Sequence, residues 1–212
     1  MKTLYLPNYG YAVHRFTEQE TAPIRNEVNL IKSDFDAYAH RSVTRTLAGN
    51  IVKEFSLSEE TRAYTEQLLM PYLFEYDREF NYIDKQSISF DKCTIGLNKM
   101  WVNFQKKHEF NPPHHHPGFL SFVLYIDIPY DIENEKLYSP GQNPDSDVAG
   151  QFQFIYTNVI GTTCVNSFPT DVNFNNAMIL FPSSMTHCVQ PFYSSDQYRI
   201  SVAGNFCFQL EK

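Results

Sequence analysis

His114, His115 and His116 stand in tandem in the run Asn111-Pro112-Pro113-His114-His115-His116-Pro117, and His187 closes Leu180-Phe181-Pro182-Ser183-Ser184-Met185-Thr186-His187. Imidazole ligates Fe, Zn, Cu and Ni well. Two ligands close in sequence and a distant third are enough to build an open metal site. In an extended chain, alternate side chains share a face. His114 and His116 then point one way and His115 the other. Pro112, Pro113 and Pro117 favour such an extended course and disfavour helix. Twelve residues after His187 comes Arg199, in Arg199-Ile200-Ser201. A guanidinium is a planar fork that binds a carboxylate bidentately, and the Ser201 hydroxyl two residues on can add a hydrogen bond. Folding the chain about Tyr193 predicts a hairpin with His187 opposite Arg199, their Cβ atoms about 5 Å apart. A metal held by His114, His116 and His187 is a variant of the facial triad of non-haem Fe(II) oxygenases, with positions open for a cosubstrate and O2. No acid, base or nucleophile outside the metal site stands out. His108, in the charged stretch Lys106-Lys107-His108-Glu109, reads as solvated, and His14 and His40 as surface or capping residues.

Positioning such groups needs a rigid frame. From Ser87 onward, short runs rich in Phe, Val, Ile and Tyr are punctuated by Pro, Gly, Asn and Asp, the texture of many short strands. The predicted strands are 93–97, 99–106, 120–126, 152–157, 177–181, 188–192 and 197–206, which suit a sandwich or jelly roll. The first 86 residues read as helical. Thr17-Glu18-Gln19-Glu20 has the form of a capping box, followed by Ile24, Val28 and Ile31 at helical spacing. Pro23 lies near that start, where proline is tolerated. A second candidate box is Ser56-Leu57-Ser58-Glu59, with Leu69, Tyr72, Leu73 and Tyr76 as the apolar stripe, and Pro71 is expected to kink or split that helix. The polar stretch 131–151 reads as a surface loop or a lid. The expected organisation is one domain over 1–212, with a helical part (1–86) and a jelly-roll core (87–212).

The bulk numbers narrow the function. Of 212 residues, 18 are Phe and 14 Tyr, and the net charge is −7. That acidity argues against a domain gripping duplex nucleic acid through its phosphates, which needs basic clusters. No stretch approaches the roughly 18 apolar residues that span a bilayer. The N-terminus has no long apolar core of the secretory kind. Cys93, Cys164, Cys188 and Cys207 form no C-x-x-C pair and read as reduced thiols of a cytoplasmic protein.

Together these segments resemble the 2-oxoglutarate/Fe(II)-dependent oxygenase superfamily, and within it a branch found in phages and bacteria. The matching residues run from about Cys93 to Phe206. They are Trp101-Val102-Asn103, the histidine run continuing into Gly118 and Leu120-Ser121-Phe122-Val123-Leu124-Tyr125, then Gly150-Gln151-Phe152, Met178 to His187, and Arg199-Ile200-Ser201. The resemblance implies a double-stranded β-helix, a distorted cupin-like jelly roll. It implies that His114 and His187 match the two iron-binding histidines and that Arg199 matches the arginine for the C5 carboxylate of 2-oxoglutarate. Asn103, Tyr125 and Ser201 become candidates to bind the same cosubstrate, or packing residues. It further implies Fe(II), 2-oxoglutarate and O2 as reactants, succinate and CO2 as products, and hydroxylation as the default outcome. One position departs from the pattern. The superfamily usually carries H-x-D or H-x-E, and here His116 stands at the carboxylate position, either as a third neutral ligand or beside the iron without touching it. Ordinary imidazoles should release iron as pH falls through about 6.5. Two other readings remain open: a three-histidine cupin that does without 2-oxoglutarate, and a non-catalytic jelly-roll module. The substrate itself (peptide, amino acid, nucleotide or lipid) is not written in these residues.

Overall fold

The structure, a computed structural model, describes residues 8–86, 93–140 and 148–210. The N-terminal residues read above for a secretory signal, the start of the predicted β region at 87–92 and residues 141–147 of the predicted loop lie outside them.

Among the described residues ten strands form two antiparallel sheets. They are β1 (Ala12–Arg15), β2 (Glu54–Ser56), β3 (Cys93–Gln105), β4 (Asn111–His114), β5 (Leu120–Asp127), β6 (Phe152–Thr157), β7 (Thr163–Phe168), β8 (Ala177–Pro182), β9 (His187–Val189) and β10 (Arg199–Leu210). The large sheet has the order β1-β8-β5-β10-β3-β2 and the small one β4-β9-β6-β7. From β3 onward the chain supplies four strands to each sheet and crosses between them repeatedly. This is the double-stranded β-helix, and it answers the expectation of a mainly β fold with N-terminal helices.

Period-two alternation explains why the large sheet sits where it does. On β3, β5 and β10 one set of alternate residues, Val102 and Phe104, Leu120 and Leu124, Ile200, Val202 and Phe206, joins the main apolar core. The helices α1 (Glu18–Ser33) and α2 (Glu59–Phe80) cover that face through Ile24, Val28, Ile31, Leu69, Leu73 and Tyr76. The other set, Asn103 and Gln105, Ser121 and Tyr125, Arg199, Ser201 and Asn205, is at least as polar and faces the space between the sheets. β5 is therefore buried along nearly its whole length.

The helix starts follow their signals with one shift. Thr17 and Glu20 form the expected capping box, and Ile24, Val28 and Ile31 are fully buried. The second helix is capped by Ser58, whose side chain accepts from the Thr61 amide, while Ser56 belongs to β2. Pro71 does not split α2, which runs unbroken from 59 to 80. Pro71 and Gln67, whose carbonyl loses its partner, both lie on the exposed side, where water can serve that carbonyl. The two predicted strands 93–97 and 99–106 are one long strand, β3, whose pairing with β10 slips at Asn205/Phe206. The stretch 131–151 is not all loop. It opens with a third helix, α3 (Ile132–Tyr138), anchored by the fully buried Glu135. The Glu135 carboxylate accepts from the amides of Tyr193 (2.6 Å) and Ser194 (2.9 Å).

Candidate active site

The expected hairpin between His187 and Arg199 does not form. β9 lies in the small sheet between β4 and β6, and β10 in the large sheet between β3 and β5. Residues 190–198 cross from one sheet to the other rather than turning back. His187 instead pairs with His114 across β9 and β4. Both sheets nevertheless present these groups to one cavity, whose walls include His114, His116, His187, Arg199, Ser201, Asn103 and Tyr125.

The three imidazoles converge. Ring centroids are 4.3 Å apart for His114 and His187, 4.9 Å for His114 and His116, and 5.1 Å for His116 and His187. One nitrogen from each lies within 4.8 Å of the others. His115 is exposed, as the extended course requires. Backbone carbonyls fix two of the tautomers. His114 Nδ1 is 2.7 Å from Pro112 O and His187 Nδ1 is 2.9 Å from Met185 O. A carbonyl only accepts, so each Nδ1 carries the proton and each Nε2 keeps its lone pair for a metal. His187 stacks on Phe152 and meets Phe181 edge-on, and His116 lies edge-on to Trp101. Burial among these rings pushes His116 down to about 4 and His187 to about 3, and lowers His114 as well. All three are neutral at pH 7, which suits a divalent cation. The loss of metal near pH 6.5 expected of ordinary imidazoles therefore moves to lower pH.

The opposite wall is a polar row across the large sheet. Glu54 pairs with Asn103, Asn103 with Ser201, and Ser201 with Tyr125. Asn103 Nδ2 donates to Ser201 Oγ at 3.2 Å, but Asn103 Oδ1, the Tyr125 hydroxyl, Glu54 Oε2 and Asn111 Oδ1 are buried without a hydrogen-bond partner of good geometry among the described residues. Unpartnered buried polar atoms are rare and ask for an occupant. Asn103 and Tyr125 line the histidine cavity itself.

Arg199 closes one end, 1% exposed. No carboxylate forms an ion pair with it among the described residues. Its partners are Gln105 Oε1 (3.1 Å from Nε, 2.7 Å from Nη2), Gln190 O (2.8 Å), the Tyr130 hydroxyl (2.5 Å) and Gly150 O (3.0 Å). Gly150 holds φ +70, and a Cβ there would lie 2.8 Å from the Tyr130 ring. Only glycine brings that carbonyl to Arg199 without strain. Toward the other rim, Ser121 donates to Asn205 Oδ1 (2.8 Å) and accepts from the Ser183 hydroxyl (2.9 Å), and Asn205 reaches the cavity wall.

The sequence reading missed Gln105, Tyr130, Glu54, Asn111, Ser121 and Asn205. Gln105 and Asn205 carried a usable signal, polar residues at alternate positions inside strands already predicted. His14 is only partly exposed and meets the Tyr72 hydroxyl at 2.9 Å, whereas His40 and His108 are exposed.

Site and fold together define an oxygenase-type double-stranded β-helix: an open three-imidazole centre beside a buried cation with no carboxylate partner among the described residues. The profile of the "Putative 2OG-Fe(II) oxygenase" family matches residues 99–205. The chain belongs to this 2-oxoglutarate/Fe(II)-dependent oxygenase family and is a dioxygenase using Fe(II), 2-oxoglutarate and O2. No curated protein matches it. Among solved structures, a Pseudomonas putida prolyl-4-hydroxylase shares the fold at TM-score 0.54 and 14% identity, covering 94% of this chain and 92% of that one. A Trichoplax adhaerens prolyl hydroxylase, solved with a hypoxia inducible factor peptide fragment, aligns at TM-score 0.55 and 16% identity over 94% and 83%. A collagen prolyl hydroxylase from Paramecium Bursaria Chlorella virus-1, solved with 2-oxoglutarate, gives 0.50 and 10% over 92% and 94%. The donor set fits the family's reactants: three neutral imidazoles suit Fe(II), and a buried guanidinium with no carboxylate partner among the described residues suits a dicarboxylate. Among the described residues no helix is long and apolar enough to cross a membrane.

Glu54, paired with Asn103 beside the cavity, gives the fold a pH signature. It is 1% exposed, and burial, with Glu109 nearby, raises it from 4.5 to about 7. The folded state then holds a proton that the unfolded state releases, so this contribution to stability is complete below pH 4.5 and is lost as pH rises through about 7. The expected loss is on the order of 2–3 kcal/mol. Glu54→Gln should flatten this decline in denaturant midpoints measured from pH 5 to 8. An identical decline in the variant would exclude Glu54 as its source.

Proposed function

We propose that His114, His116 and His187 hold the iron, and that Arg199 binds the distal carboxylate of 2-oxoglutarate, with Asn103, Ser201 and Tyr125 along its length. The carrying observation is that three neutral imidazoles, His187 buried and His114 and His116 half-buried, share one cavity with a buried guanidinium that has no carboxylate partner among the described residues. Iron and 2-oxoglutarate, when bound, supply oxidative decarboxylation to succinate and CO2 coupled to oxidation of a substrate C–H bond. The protein's part is positioning. Pro112 O and Met185 O aim two Nε2 atoms, Phe152 and Phe181 pack against the His187 ring and Trp101 against the His116 ring, and Asn103 Oδ1 and the Tyr125 hydroxyl offer polar atoms to a ligand. The whole chain acts as one domain, in a cytoplasm, that of a host cell if a phage encodes it. Peptidyl proline is the first substrate class to test, on fold likeness to prolyl hydroxylases, one solved with a peptide. Free amino acids, nucleotides and lipids follow it. Succinate and CO2 release from 2-oxoglutarate with Fe(II), abolished by a chelator, is the expected result. An iron-loaded protein that binds no 2-oxoglutarate overturns the reading.

His116 as third ligand has its own test. His116→Asp restores the carboxylate common in the superfamily and should keep one equivalent of iron. It also removes one unit of positive charge from the centre, so 2-oxoglutarate should bind about 3–10-fold more weakly. His116→Ala should lose iron affinity by at least about 10–100-fold, the scale on which even indirect metal contacts matter. Unchanged iron affinity in His116→Ala would place His116 outside the ligand set.

A further inference from the structure

Arg199 has five N–H groups, and each already points at a protein acceptor. Nη1 serves the Tyr130 hydroxyl and Gly150 O. The edge formed by Nε and Nη2, the edge that grips a carboxylate with two parallel bonds, is taken by a single atom, Gln105 Oε1. Nη2 also serves Gln190 O. Gln105 is itself 3% exposed and tethered, its Nε2 donating to Glu109 O at 2.6 Å. Both Gln105 and Arg199 line the histidine cavity and pair across β3 and β10.

From this we infer that Gln105 is a placeholder for the cosubstrate's distal carboxylate, its amide oxygen occupying the guanidinium edge until a carboxylate displaces it. The inference rests on the assignment of Arg199 to that carboxylate. An amide oxygen carries only a partial charge, so its bonds to a guanidinium are weaker than those of a carboxylate. The anion wins the edge, while the amide keeps the apo state from burying a bare fork. Of the remaining acceptors, Gly150 O and Gln190 O belong to the backbone and Tyr130 is packed on Phe192, so Gln105, held by one further bond to Glu109 O, is the partner that can give way by breaking a single side-chain tether. The residue thereby sets both affinity and selectivity for a ligand with a carboxylate at that distance.

The test uses Mn(II)-loaded, full-length protein, titrated calorimetrically with 2-oxoglutarate and with 2-oxopentanoate. The second ligand has the same carbon chain with a methyl group where the first has its distal carboxylate. Gln105→Glu installs a permanent internal carboxylate on the Arg199 edge. It should weaken 2-oxoglutarate by about 30-fold or more, the scale of buried charge pairs, and leave 2-oxopentanoate within about threefold of wild type. Gln105→Ala should do the opposite. Its melting temperature falls without ligand, 2-oxoglutarate binds as tightly as before or more so, and the ligand-induced rise in melting temperature grows. Equal weakening of both ligands in both variants would reduce Gln105 to a structural residue and overturn the inference. Arg199→Lys separates the underlying assignment. If it leaves the preference for 2-oxoglutarate over 2-oxopentanoate intact, the Arg199 reading itself fails. If it narrows that preference while Gln105→Glu does not, only the placeholder fails.

Discussion

His187→Ala and His114→Ala are each expected to abolish iron binding at micromolar metal and, with it, release of succinate from 2-oxoglutarate. The two residues face each other across β4 and β9, and each has its outer nitrogen held by a carbonyl two residues back. Their Nε2 atoms are therefore aimed before metal arrives. Losing an outer hydrogen-bond partner of a ligand already costs about 10–100-fold in affinity, so losing the ligand should cost more than about 100-fold. The fold should survive. These imidazoles are neutral, and truncating one leaves a small void rather than an unpaired charge, a destabilisation of about 1–3 kcal/mol. Metal content by elemental analysis and melting temperature should thus part company: iron lost, cooperative unfolding kept. His115→Ala serves as the internal control, since His115 is exposed and outside the cluster. A His187→Ala protein that still holds a full equivalent of iron would break the proposed ligand set.

What was readable in the sequence, and what was not, follows from where each signal lives. Local signals held: Thr17 with Glu20 capped α1, and Phe152–Thr157 formed a strand at the predicted bounds. The alternation that puts His114 and His116 inward and His115 outward needs only an extended backbone, which the flanking prolines supply. β4 itself was missed because Asn111-Pro112-Pro113-His114 lacks the β-branched and aromatic residues that mark strands. β7 was missed for another reason. Its residues are mostly exposed, so no buried stripe announces it. The His187–Arg199 hairpin failed because a tight turn and a crossover between sheets share one polar composition. Only the topology distinguishes them, and it places residue 187 in the small sheet and residue 199 in the large one. The right residues met for the wrong local reason. Gln105 and Tyr130 stayed invisible because their role depends on a partner 94 or 69 positions away.

Arg199→Ala carries the other large expected effect, and it divides into two measurable parts. A guanidinium at 1% exposure with no carboxylate beside it among the described residues is an expensive group to keep, and the fold keeps it by saturating every N–H with neutral acceptors. Removing it strands Gln105 Oε1 and Gln190 O, acceptors worth about 1–3 kcal/mol each when left unmet, while Gly150 O keeps its bonds from the Tyr130 and Thr170 hydroxyls. Partial relaxation brings the expected destabilisation to about 3–5 kcal/mol, read from denaturant midpoints. Arg199→Lys keeps the charge but not the fork, and should fall between wild type and Arg199→Ala. The second part concerns ligand. A cation held only by neutral acceptors among the described residues is paired when a dicarboxylate enters, so 2-oxoglutarate should stabilise wild type by about 2.7 kcal/mol at a hundredfold excess over its Kd. Arg199→Ala should lose that increment at the same concentration, whatever its own baseline stability. If the ligand-induced gain persisted undiminished without the guanidinium, the distal carboxylate would be held elsewhere, and the Tyr125 hydroxyl and the Asn103 Nδ2 that donates to Ser201 would be the donors to examine first.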